Sequence, residues 1–223
     1  RALPVLASSA VSGGNSASAR IADLAVNYSG AITSYQSANS HGVAKSVAGT
    51  SAARYVIITT SAIANASAEL RNFIASKQAR GFTVKLVTES EWGGGTGDAA
   101  AERIRGWLRS NYAALGTEYC LLIGNPDPAR GDVPMKLAMP RESAEYYRDA
   151  PTDYYYADLS GNWDIDGDGA FAEETDDYGK VGGPDIYAEI SVGRIPYYGS
   201  IADLDSILAK SIAYENESDT AWR

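Results

Sequence analysis

The chain has 223 residues, 45% of them hydrophobic, with 28 acids against 19 lysines and arginines and a formal charge of -9 at pH 7. That hydrophobic content excludes disorder throughout, and the acidic balance excludes nucleic acid and anionic membrane surfaces as partners, since both need a basic patch. No run of about eighteen apolar residues is present, so no membrane span is expected, and no charged-then-apolar leader opens the N-terminus.

Residues 1–53 are dominated by Ala, Ser, Gly and Asn and read as an extension or linker ahead of an α/β unit over residues 54–223. That unit opens with "YVIITT" at Tyr55, a β-branched run without polar alternation, as expected of a parallel strand covered on both faces. A helix follows, with Ser67 as N-cap, Leu70, Phe73 and Ile74 at helical spacing, and Gly81 as the stop. "FTVKLVT" from Phe82 is the second strand. The glycine loop "GGGTGD" leads into a helix over residues 99–112, with Thr96 or Asp98 as cap and Gly116 at its end. "EYCLLIG" is the third strand, "DIYAEISVGRIP" from Asp185 the fourth, and residues 201–217 a last amphipathic helix. Strands alternating with helices predict a mainly parallel four-stranded sheet with flanking helices.

Between the third and fourth strands lies a long acidic insertion, at about residues 140–184, and open α/β sheets place their sites beyond such strand ends. Within it, "WDIDGDGAFAEETDD" has the opening of a calcium loop. Asp164, Asp166 and Asp168 occupy positions one, three and five, Gly167 and Gly169 permit the turn, and Ala170 offers a backbone carbonyl at position seven. Position twelve holds Thr175, so this is not an EF-hand; Glu173 closes the predicted loop, with Glu174 and Asp176 as alternatives for the last ligand. Carboxylates this crowded repel one another without a cation. A calcium-dependent loop also favours a secreted or cell-surface location, where calcium is millimolar.

Other candidates are weaker. The glycine loop matches no phosphate-binding fingerprint and reads as a flexible turn. Cys120 lies inside an apolar strand and His41 in the extension, so the one cysteine and the one histidine make no convincing dyad. Asp153 and Asp158 lack a partner for acid/base work. Tyr146, Tyr147, Tyr154, Tyr155 and Tyr156 bracket the insertion, where packing of a long loop explains them more economically than a binding groove.

The succession "YVIITT", "KQARGFTVKLV", "IRGWLRSNY", "EYCLLIGNPD", "PTDYYYADLSGNWDIDGDGAFAE" and "PDIYAEISVGRIP" resembles the gingipain-type cysteine peptidases, family C25, over residues 55–223. The resemblance implies a caspase-like, three-layer fold and the first of two α/β subdomains. It places the family's Gly-His-Gly histidine and its cysteine in the second subdomain, so the chain would be the non-catalytic, calcium-stabilised part of a secreted endopeptidase. Its partners would then be a C-terminal catalytic subdomain and a protein or peptide substrate. The resemblance also implies a second calcium set, with side chains from Asp185 and Glu189, carbonyls from Gly182 and Tyr187, and Asn125 where relatives carry an aspartate. The alternative to a peptidase subdomain is a calcium-binding scaffold or binding module of a cell-surface protein; a nucleotide-binding domain rests on the glycine loop alone.

Overall fold

The computed structural model describes residues 54–138 and 150–217; the expectations for residues 1–53, His41, Tyr146 and Tyr147 lie outside the described residues. In chain order the elements are β1 (Tyr55–Ile58), α1 (Ser61–Ala66), α2 (Ala68–Ala79), β2 (Val84–Val87), α3 (Glu89–Trp92), α4 (Gly97–Leu115) and β3 (Tyr119–Gly124). There follow β4 (Lys136–Ala138), β5 (Ala150–Thr152), a 3-10 turn (Tyr154–Tyr156), β6 (Ser191–Pro196) and α5 (Ile201–Asn216).

Four strands form one sheet in the order β2-β1-β3-β6, every pairing parallel. β1 and β3 are central and apolar on both faces. Val56, Ile58, Cys120 and Leu122 point to one core with Ala100, Ala101, Ile104 and Leu108 of α4. Ile57, Leu121 and Ile123 point to the other, with Ile63 of α1, Leu70 and Phe73 of α2, and Leu204 and Leu208 of α5. A three-layer α/β architecture results, because helices cover both faces of a sheet whose strands have no polar side. The insertion lies on the α4 side: Tyr155, Tyr156, Leu159, Trp163 and Ala172 are buried in the same core as α4.

Local chemistry sets the boundaries. Ser67 caps α2 as expected, its Oγ accepting the Leu70 amide at 3.0 Å, and it also donates to Asp205 of α5 at 2.5 Å. Gly81 follows α2 with φ +88° and Gly116 ends α4 in the left-handed region. Three features depart from the sequence reading. Thr96 holds the N-cap position of α4 without a side-chain bond, and Asp98 is turned to Lys136 instead. The fourth strand begins only at Ser191, so Asp185, Tyr187 and Glu189 precede it in irregular chain. The short α1 and α3 and the antiparallel β4-β5 ribbon are too brief to leave a periodic pattern.

Candidate metal centre

Asp164, Asp166 and Asp168 present one carboxylate oxygen each within 4.8 Å of the others, the one such cluster of acids, histidines or cysteines among the described residues. The turn that gathers them is made by Gly167 at φ +79° and Gly169 at φ +87°, where a side chain would be strained. Inside it the Gly169 amide donates to Asp164 Oδ2 at 3.3 Å, the Asp168 amide to Asp166 Oδ1 at 3.2 Å and the Ala170 amide to Asp168 Oδ1 at 2.7 Å. At its base the Ala172 amide donates to the Trp163 carbonyl at 2.7 Å, so residues 163–172 form a closed ring. Ala172 has φ +58°, a local strain of about 1 kcal/mol that this closure holds in place.

Two buried carboxylates that spacing does not reveal carry the ring. Asp158 accepts the Gly161 amide and the Trp163 indole N–H, both at 2.8 Å, and the Asp185 amide at 3.4 Å. Arg105 of α4 locks the same turn from below, donating to the carbonyls of Asp158 at 2.8 Å and Gly161 at 2.7 Å. Asp177 accepts the Ile165 amide at 2.5 Å and the Glu173 amide at 3.3 Å, and so ties the two sides of the acidic segment together. Both side chains are fully buried.

Whether this ring fits a cation is tested by Asp164 Oδ1, which is buried and has no hydrogen-bond partner. A buried carboxylate oxygen without a donor is destabilising, and a cation beside Asp166 and Asp168 would supply what is missing. Glu173, the expected closing ligand, is half-buried. Desolvation first, and then the charges of Asp168, Asp176, Asp166 and Asp177, hold its carboxyl above the usual glutamate range. The residues fit a hard divalent ion: an all-oxygen, multiply charged donor set is what calcium takes.

The second expected set is arranged differently. Gly182 gives its carbonyl to the Asn162 amide at 2.8 Å, Asp185 accepts the Tyr187 amide at 2.6 Å, and Glu189 accepts the Leu159 amide at 2.6 Å. Tyr154 has a buried hydroxyl without a partner, pushed up to about 12, first by burial and then by the charges of Asp158, Asp185 and Glu189. Asn125 stands elsewhere. Ser191 is paired with Tyr119 at the start of β3, whereas Asn125 follows Gly124 at its far end, about 20 Å along the strand. There its side chain accepts the Asp127 amide at 3.0 Å.

Neither weaker catalytic candidate gains support. Burial pushes the Cys120 thiol up to about 12, with Arg194 opposing, so at neutral pH it is neither a thiolate nor accessible. Asp153 forms a bidentate pair with Arg194, at 2.7 and 2.8 Å, and Arg194 also donates to the Val133 carbonyl at 2.6 Å. These groups brace β6 against the insertion.

A parallel four-stranded sheet between helical layers, with a long insertion on one face, defines a caspase-like α/β domain. The family model for Peptidase family C25 matches residues 49–223. The chain therefore belongs to peptidase family C25, a family of cysteine peptidases acting on protein substrates. No curated protein and no solved structure matches it. No helix among the described residues is long and apolar enough to cross a membrane.

Proposed function

We propose that the chain is the N-terminal, non-catalytic subdomain of a secreted gingipain-like cysteine endopeptidase, stabilised by calcium and supporting a histidine and cysteine dyad carried on a second subdomain. The observation that carries this reading is Cys120. It is the one cysteine in the sequence, it lies in the middle of β3, and burial holds it as the thiol. Family membership calls for a thiolate nucleophile that this residue does not provide.

In this reading Asp164, Asp166, Asp168, the Ala170 carbonyl and Glu173 hold one calcium ion. Asp185 and Glu189, with the Gly182 and Tyr187 carbonyls, form a second and weaker set without Asn125. The ion's contribution is to folding: it neutralises the crowded carboxylates and binds only the closed ring. Extracellular modules bind calcium at about 0.1–1 mM, which suits a secreted protein.

The purified chain is expected to cleave no peptide substrate, and its melting midpoint is expected to rise with calcium and fall with a chelator. Cleavage that disappears in Cys120→Ala would place the nucleophile in β3 and refute the subdomain reading. A midpoint unmoved by calcium would remove the metal. The scaffold alternative is favoured by the exposed Tyr178, Val181, Ile186 and Tyr187 around the insertion. It predicts capture of a protein partner that has no peptidase dyad.

A further inference from the structure

The ring of residues 163–172 meets the body of the domain through aromatic side chains at both ends. Trp163 and Phe171 each set an edge against Tyr155, with ring centroids 5.2 and 6.1 Å apart. Phe171 also lies over Lys136, its centroid 3.3 Å from Nζ. Lys136 is on β4 and is 1% exposed. Its ammonium is held by Asp98 Oδ1 and Glu102 Oε1, each at 2.7 Å, and Glu102 Oε1 also accepts the Tyr155 hydroxyl at 2.7 Å.

Asp98 stands in the first turn of α4, and that turn is in close contact with two loops. The Gly97 amide donates to the Gly131 carbonyl at 2.8 Å, and a Cβ on Gly97 would overlap the Ala129 carbonyl. Just upstream, Gly93, Gly94 and Gly95 all have positive φ, and Arg103 holds the Gly94 carbonyl at 2.7 Å. Residues 93–97 and 127–133 lie at the carboxyl ends of β2 and β3, the edge at which open parallel sheets bind ligands.

We propose that Phe171 and Lys136 couple the aspartate ring to these two loops, so that cation occupancy of the ring sets their order. The inference rests on the calcium reading above. A buried ammonium is tolerated here because two carboxylates and an aromatic face replace its water. Closing the ring seats Phe171 on Lys136, and Lys136 then holds the first turn of α4 against residues 127–133. When the aspartates repel one another and the ring opens, Phe171 leaves. Water then reaches Lys136, and its ion pairs become exposed pairs that constrain little. The coupling is reciprocal: ordering the two loops must tighten cation binding by the same factor.

The test uses the whole chain, with terbium luminescence sensitised through Trp163 to report ion binding and hydrogen exchange with and without calcium to report order. In the unmodified chain, calcium should slow exchange in residues 162–173, 93–97 and 127–133, by about tenfold in the two distant segments. Phe171→Leu, which keeps an apolar side chain without a ring face, and Lys136→Met should keep the terbium signal and the protection of residues 162–173 while losing the distant protection. Protection confined to residues 162–173 in the unmodified chain overturns the coupling and leaves the calcium site standing. Distant protection that persists in both variants also overturns it. Absence of any terbium signal removes the calcium reading itself and the coupling with it.

Discussion

Asp158 is fully buried, and its two carboxylate oxygens receive N–H groups from Gly161, Trp163 and Asp185. With these three donors turned onto it, the group organises the backbone of the turn. Asp158→Asn should lose about 2–3 kcal/mol of stability in urea unfolding, because the amide can accept on one side only and turns a donor toward donors on the other. Cys120 and Tyr55 are the titrating counterparts. Burial raises the thiol from 9.0 to about 12 and the Tyr55 hydroxyl from 10.0 to about 12. A raised folded pKa means that the native state binds more protons than the unfolded chain between those values, so stability present below pH 9.0 is lost as pH rises towards 12. Alkaline unfolding monitored by tyrosine absorbance should show this decline. A thiol reagent at pH 8 should label Cys120 only after denaturant is added.

Among the elements, the central strands and α4 were legible because each carries its own period. β1 and β3 read as unbroken apolar runs, and Ile104 and Leu108 mark the buried stripe of α4. Leu108 is 0% exposed, and Leu108→Ala should lower stability by about 2–5 kcal/mol in a denaturant titration through loss of contacts and an unfilled cavity. The start of the fourth strand was misplaced because "DIYAEI" has strand-like composition, yet Ala157 takes the Glu189 amide and Glu189 takes the Leu159 amide, so that segment pairs with the insertion and not with β3. Of the two cap candidates for α4, Thr96 holds the N-cap position without a side-chain bond and Asp98 does not cap at all. Asp98 is more strongly held by the buried Lys136 ammonium than by a backbone amide, a choice that becomes available only when β4 is folded against α4.

At the scale of the molecule, the acidic segment is docked on the α4 face by Arg105, Tyr155 and Trp163 and is left with clustered negative charge at its outer edge. Calcium at about ten times its dissociation constant should add about 1.4 kcal/mol. In a domain of this size that raises the melting midpoint by about 3–5 °C in scanning calorimetry. Asp168→Ala should abolish that rise while leaving the chelated protein nearly unchanged, since Asp168 is exposed and its loss removes repulsion as well as a ligand. A mutant that melted far below the chelated protein would show that Asp168 supports the fold directly.

By itself the sequence determined the α/β class, the order of the main strands and helices, the family, and the spacing that puts three aspartates on one turn. These are local properties: hydrophobic period, caps, glycines, and alternate side chains facing one way. Tertiary structure decided the rest. It set β1 and β3 at the centre, separated Asn125 from Asp185 and Glu189 by the length of a strand, and assigned Asp158, Asp177 and Lys136 to partners up to 53 residues away. Such pairings leave no periodic trace, because a buried charge is assigned its partner by whichever elements the folded core brings against it.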